Sequence, residues 1–277
     1  MEKKKDEKEK ECLHQSSLSL LFKCGIAYEF RYVKGLKIPP NASMISGSGT
    51  HKGIEKNLIS KIDTKKFLPL DVVKDITRDE TKNLWNQGIR LSEEEAQGGI
   101  RKAKGATIDK AVALSGLHYE KVAPLLNPTE VESEFILELE KYPYDIAGKI
   151  DIIEGNKSLR DTKTSGKCPN KNAADISDQL TMYYLAQKIK TGIAPEKLYL
   201  DYLYQTPKNK ICKNITIPTA RNDEDLKVLL ALIEQSMKIL KSGIFTPASP
   251  DFWLCSKKWC GYFNLCPYSR KRTTVAV

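Results

Sequence analysis

Residues 144–165 read YDIAGKIDIIEGNKSLRDTKTS, and the fold turns on how this stretch is read. YDIAGKIDIIEG has the character of a strand that ends at a Gly-Asn turn, and KSLRDTKTS of a second, shorter one. Residues two apart on a strand share a face, so Asp161 and Lys163 project together, and the hairpin can bring Asp151 alongside them. Two carboxylates at one spot repel each other unless a cation sits between them. Oxygen-rich sites of this kind suit Mg²⁺ or Mn²⁺. A neighbouring lysine can orient an attacking water and steady the charge that develops on a phosphate. Together these parts fit metal-assisted hydrolysis of a phosphodiester. An isolated D-x-K triplet is far more often a solvated sheet edge, so the weight falls on its neighbours.

Working outward, SEFILELE (133–140) alternates apolar and charged residues as a half-buried strand does. Downstream, a helix is expected from about Ala173 to Lys190, then the alternating strand KLYLDYLYQT (197–206). A long amphipathic helix follows from 223 and ends at Gly243. Upstream, Ser16 and Ser17 open a helix that runs past Cys24, and 35–49 reads as a loop rich in glycine and proline. A second helix is expected from Thr50, carrying His51 and Glu55, to about Lys65. Residues 66–128 are polar and mostly helical in pattern, with glycine breaks at Gly98, Gly99 and Gly105. Helices, three strands, helix, strand, helix is the order of an α/β core with a mixed central sheet flanked by helices.

The 277 residues allow one domain, expected over 14–277, with a helical insertion at about 66–128 and a cysteine-rich segment at about 250–270. Lys and Arg total 45 against 35 Asp and Glu, and the net charge of +10 favours polyanionic partners. No apolar run approaches the ~20 residues of a membrane span. The opening MEKKKDEKEK has no apolar segment behind it, which reads as a disordered tail over 1–13 and a cytoplasmic protein.

In such a chain, seven cysteines argue against a disulfide framework. Cys255, Cys260 and Cys266 form C-x4-C-x5-C beside Trp253, Trp259 and Tyr262, and three thiolates leave one coordination place open. Cys24 stands far upstream as a fourth. Zinc accepts four sulfurs and so does an iron–sulfur cluster, and the spacing does not choose between them. Cys12, Cys168 and Cys212 read as ordinary thiols.

GKID, LRDTKTS and DQLTMYY, in that order, resemble the PD-(D/E)XK nuclease superfamily in its RecB-like exonuclease branch. There an aspartate precedes the D/E-x-K pair, a following helix carries Q-x-x-x-Y, and an upstream helix holds G-x-x-x-H-x-x-x-E. Here Gln179 and Tyr183 stand four apart, on one helix face, and GSGTHKGIE runs from Gly47 to Glu55. The resemblance implies a restriction-endonuclease-like core in which Asp151, Asp161 and the Thr162 carbonyl bind Mg²⁺ or Mn²⁺, with His51 as a further ligand. It implies that Lys163 works on the nucleophilic water, while Gln179 and Tyr183 support the site and contact DNA. CRISPR-associated exonucleases and AddB-type helicase-nucleases are similar in having one early and three late cysteines. In those the four hold a [4Fe–4S] cluster that staples the C-terminal tail to the first helix. By this resemblance Cys24, Cys255, Cys260 and Cys266 hold such a cluster, zinc being the lesser alternative. The chain departs from AddB-type patterns in a first late gap of four residues rather than two, and in Gly25 where proline is frequent. A cluster there would close a loop of more than 200 residues.

The segments IRKAKG (100–105) and YSRKR (268–272), with Lys163, Lys167 and Lys171, could meet phosphates, and no motif reads base edges. Residues 66–128 could cap the site and admit a single strand. The expected function is a Mg- or Mn-dependent DNA exonuclease acting on single strands or ends in repair, recombination or mobile-element DNA processing, with room for a helicase or recombination partner. Two alternatives stand beside it: a catalytically inactive DNA-binding subunit that keeps the fold, and a metal-stabilised interaction module. The presence of both acids and the lysine counts against the first.

Overall fold

In the computed structural model, the quoted stretch folds as the expected hairpin. The structure describes residues 10–155, 157–206, 208–249 and 251–269. Most of the expected tail, Asn156 of the hairpin turn, and the last three residues of YSRKR lie outside the described residues.

In chain order, β1 (Glu11–His14) leads into α1 (Gln15–Lys23) and α2 (Gly25–Tyr28). Then come α3 (Ala42–Thr64), α4 (Leu70–Asn86), α5 (Glu93–Gln97) and α6 (Ile100–Lys121). Three strands follow, β2 (Pro128–Leu137), β3 (Tyr144–Glu154) and β4 (Leu159–Ser165). The chain continues through α7 (Asp178–Thr191), β5 (Leu198–Gln205), β6 (Cys212–Thr219) and α8 (Asp223–Ser242). The sheet is mixed, as expected. β3 is its hub: β2 runs antiparallel along one edge, while β1 (parallel, Glu11↔Tyr144) and β4 (antiparallel, Ile152↔Arg160) share the other. β4 and β5 are parallel, joined through α7, and β6 closes the far edge antiparallel to β5.

Helices cover both faces. On one, Leu18 of α1, Leu180 and Met182 of α7, and Leu229 and Ile233 of α8 pack on Ile146, Ile150, Leu198 and Leu200. On the other, Ile54 and Leu58 of α3 and Leu114 of α6 pack on Ile152 and Leu203. Burying each such side chain contributes about 1.5–3 kcal/mol. The helices of 66–128 therefore build a layer of the core, with Leu114 in contact with the sheet. The C-terminal segment returns to the first helices, where Tyr262 packs on Phe30 with ring centroids 5.4 Å apart and donates to the Leu36 carbonyl at 2.7 Å.

Five elements differ from the sequence reading. Residues 11–13, expected within the tail, are strand β1. β6 is a further strand, polar and carrying Pro218, which an edge position tolerates because one side of its backbone needs no ladder partner. α3 starts at Ala42, eight residues before Thr50, because Asn41 caps it by accepting from the Met44 N–H at 2.9 Å. Its glycines are contact points: a Cβ on Gly49 or Gly53 would fall 2.0 Å from Thr81 Oγ1 or Thr77 Oγ1 of α4. Likewise Gly105 lies inside α6 rather than breaking it, and the break falls at Gly99, with φ 89°. α7 starts at Asp178, since the buried Arg221 takes the Ala174 and Ser177 carbonyls at 2.7 and 3.1 Å and holds the chain before it out of the helix.

A buried ion network ties the hairpin to the rest of the sheet. Arg160 Nε meets Glu154 Oε2 at 2.6 Å and its Nη1 meets Asp201 Oδ2 at 3.0 Å, with the guanidinium 4.1 Å from the Tyr199 ring centre. Ser158 and the Asn127 N–H donate to Glu154, and Thr216 donates to Asp201.

Candidate active site

Alternation along β4 sends Asp161 and Lys163 toward α7. Asp161 is 1% exposed, and Lys163 Nζ lies 3.0 Å from its Oδ1 and 2.8 Å from its Oδ2. The same ammonium donates to Gln179 Oε1 at 2.6 Å. One turn along α7, Tyr183 accepts from Gln179 Nε2 at 2.7 Å and donates to Asp161 Oδ1 at 3.3 Å, with Asp151 Oδ1 at 3.5 Å. From β3, Asp151 reaches the neighbouring strand, where its Oδ2 accepts from the Thr162 N–H at 2.9 Å.

His51 arrives from the opposite layer. Its Nδ1 is 3.8 Å from Asp151 Oδ2, and its ring faces the Thr162 backbone. Gly47 explains the approach, since a Cβ there would fall 2.8 Å from Thr164 Oγ1. Only glycine lets α3 sit this close to β4, and His51 follows one turn later on the same face. The structure thus brings together all six side chains singled out in sequence (His51, Asp151, Asp161, Lys163, Gln179, Tyr183) and the Thr162 backbone.

The electrostatics of the group are strained. Burial, and then the charge of Asp161, push the Asp151 carboxyl well above the ordinary range. Burial works against the Lys163 ammonium, but Asp161 and Asp151 outweigh it and raise its pKa. Burial lowers the His51 pKa, leaving the neutral imidazole that a cation would need. Burial also raises Tyr183, so its hydroxyl stays a donor. Glu132 was not anticipated. It sits in β2 at φ 51°, and burial and Glu55 raise its carboxyl beside Asp151 and Asp161. Strand alternation could not flag it, because the pairing register gives it no partner and its backbone leaves the strand conformation.

Among the described residues, no three His, Cys, Asp or Glu side chains are placed to hold a metal ion as they stand. The donor set nonetheless fits a hard dication: two buried carboxylates that repel each other, a neutral imidazole and a backbone carbonyl. The other expected metal group lies apart from this site. Cys24, Cys255, Cys260 and Cys266 all line one apolar cavity of about 510 Å³ between the first helices and the C-terminal segment. Burial and the other three sulfurs raise the Cys260 thiol. Four thiols are the donor set that both zinc and an iron–sulfur cluster take, and here they share one cavity. Cys12 and Cys168 are exposed, Cys212 is half-buried, and none of the three lines that cavity.

Of the basic groups, Lys167 and Lys171 are exposed on the loop after β4, and 100–105 forms the first turns of α6. Among the described residues, no helix is long and apolar enough to cross a membrane.

A mixed sheet that sets two aspartates and a lysine on adjacent strands, with helices on both faces, is the restriction-endonuclease-like fold of nucleases. The chain belongs to the PD-(D/E)XK nuclease superfamily, whose family profile matches residues 13–267. Its structure is similar to that of a protein from Eubacterium rectale named "Putative exonuclease", with a TM-score of 0.50 and 13% identity, covering 89% of this chain and 90% of that one. At that identity the likeness shows the fold alone. A second solved structure, SSO0001, aligns at 15% identity and a TM-score of 0.38, over 92% of this chain and 96% of that one. No curated protein matches the sequence.

Proposed function

We propose that the chain is a Mg²⁺- or Mn²⁺-dependent deoxyribonuclease of the RecB-like branch, an exonuclease acting on single strands or DNA ends in repair, recombination or mobile-element DNA processing. The observation that carries this reading is the Lys163 ammonium, which links Asp161 to Gln179 while Tyr183 bridges back from Gln179 toward both aspartates. Asp151, Asp161, the Thr162 carbonyl and His51 would hold the dication. When bound, it supplies positive charge against the phosphate oxygens. Lys163 remains an ammonium and donates hydrogen bonds to the incoming water and the phosphate. Gln179 fixes its direction and Tyr183 fixes Gln179, so both act as positioning residues. The net charge of +10 and the exposed Lys167 and Lys171 suit a polyanion, and the absence of a base-reading motif in the sequence suits a substrate of any sequence.

The test is digestion of end-labelled single- and double-stranded DNA with Mg²⁺ or Mn²⁺. Wild type is expected to release short products from ends, and Asp161→Ala to release none. Equal digestion by both would sink the assignment. DNA binding by wild type without cleavage in either metal would leave only a binding subunit.

We propose further that Cys24, Cys255, Cys260 and Cys266 hold a [4Fe–4S] cluster with a structural role. Support comes from the shared cavity and from the way the C-terminal segment folds back on α1 and α2. Anaerobically purified protein is expected to be brown. Cys260→Ser should lose the colour and about 2 kcal/mol of stability, read as a fall of several degrees in Tm. The loss is moderate because Tyr262, Phe245 and Phe30 already hold the segment. A colourless protein containing zinc would overturn the cluster in favour of zinc, and a metal-free one would overturn both.

A further inference from the structure

The C-terminal segment exposes aromatic side chains that neither the core nor the candidate active site uses. Trp253 is 61% exposed and Trp259 47%, and the two stand edge to face with ring centroids 5.5 Å apart. Lys258 Nζ lies 5.5 Å from the centre of the Trp259 ring. The Arg90 guanidinium donates to the Trp259 carbonyl at 3.4 Å and pins the backbone beneath it. Trp259 and Lys258 form one wall of an open groove of about 590 Å³, whose lining includes Ser43, Arg90 and Lys102. Of the acids of α5, Glu93 pairs with Lys257, while Glu94 and Glu95 line the groove, the Glu95 carboxylate accepting from the Ser92 N–H at 2.8 Å. Among the described residues, Arg90, Lys102 and Lys258 form no ion pair with a carboxylate.

This groove connects with the candidate active site through α3. Ser43 lines the groove, Gly47 lies against Thr164, and His51 stands at Asp151. These positions are four apart and share a helix face, and eight residues of helix span about 12 Å. Gly47 is buried against Thr164, which closes that face midway, so α3 places the groove about two helical turns from the aspartates.

We infer that the groove is a binding platform for single-stranded nucleic acid. Bases stack on Trp259 and Trp253, and Arg90, Lys102 and Lys258 meet the phosphates. A single strand fits where a duplex does not, because exposed rings flanked by cations need free base faces. Every base has such a face, so stacking tolerates any sequence. A role in delivering substrate rests on the nuclease reading, whereas the platform stands on its own observations.

The test uses full-length protein in EDTA, so that no cleavage intervenes, with fluorescence anisotropy on an oligothymidylate and on an abasic strand of the same length. Trp259→Ala is expected to weaken oligothymidylate binding about tenfold and to leave the abasic strand nearly unchanged, with Trp259→Phe restoring most of the loss. Lys258→Glu is expected to weaken both and to flatten the salt dependence. Trp253→Ala and Trp259→Ala proteins that bind thymidylate as wild type does would overturn the platform. So would an equal loss on the abasic strand, which marks a general structural effect. Mg²⁺ added afterwards separates the two readings. Base-dependent binding without cleavage removes the nuclease and keeps the platform, and cleavage with no contribution from the tryptophans does the reverse.

Discussion

Lys163→Ala is expected to lower Mg²⁺-dependent DNA cleavage by about a thousandfold while the chain keeps its fold. The ammonium makes its close contacts with Asp161 and Gln179 and is more than a third exposed, so truncating it leaves no core cavity. What it removes is the positive charge set between two carboxylates and the donor aimed by Gln179. A preorganised donor counts for more than one in solution, because it needs no reorganisation as charge develops. Lys163→Arg should not restore the rate. A planar fork cannot take the place of a point donor held at 2.6 Å from Gln179 and 2.8 Å from Asp161. Single-turnover cleavage of a labelled strand, with circular dichroism as the fold control, measures the effect. A loss of less than tenfold would show that Lys163 is no more than a counter-ion for Asp161.

The hairpin was readable because a two-residue period is local: Asp161 and Lys163 share a face in any strand, and the turn before them leaves Asp151 one place to go. The helix pairing of Gln179 with Tyr183 is local in the same sense, and both the hydrogen bond between them and their contacts to Lys163 and Asp161 appear in the structure. What escaped the sequence is what tertiary contact decides. The start of α3 reads as loop because glycine and serine disfavour helix. The same glycines are what allow Thr77 and Thr81 of α4, and Thr164 of β4, to approach. β1 is four residues long and exists because β3 has a free edge beside it, a fact absent from Glu11–His14 itself. Glu132 leaves the strand conformation at one residue, and no periodicity predicts that. The pairing of Arg160 with Glu154 and Asp201 also joins distant parts of the chain, so in sequence these read as three unrelated charges.

That pairing carries the largest expected effect on stability. Arg160→Met should cost about 3–5 kcal/mol, a large share of the 5–15 kcal/mol typical of a folded domain. Glu154 and Asp201 are 5% and 1% exposed, so without the guanidinium two carboxylates remain in the interior with only hydroxyl and amide donors. The triad also holds the hairpin turn to β5 and β6, one residue from Asp161, so the variant should lose cleavage along with stability. Urea denaturation of wild type and variant measures the cost. Combining Arg160→Met with Glu154→Gln and Asp201→Asn separates the causes: recovery in the triple variant assigns the loss to stranded charge, and no recovery assigns it to lost packing against Tyr199. A single variant within 1 kcal/mol of wild type would show that water already reaches the pair. The acid dependence has a definite sign. Burial resists ionisation of Glu154, but Arg160 and the Ser158 hydroxyl outweigh it, and its pKa in the fold is lowered. Its contribution is therefore complete above the unfolded carboxylate pKa and fades as pH falls through the lower folded value. Asp201, which burial raises despite Arg160, works in the opposite direction. Removing Arg160 takes away what depresses Glu154, so the gap between wild type and Arg160→Met should be widest near neutrality and narrow in acid.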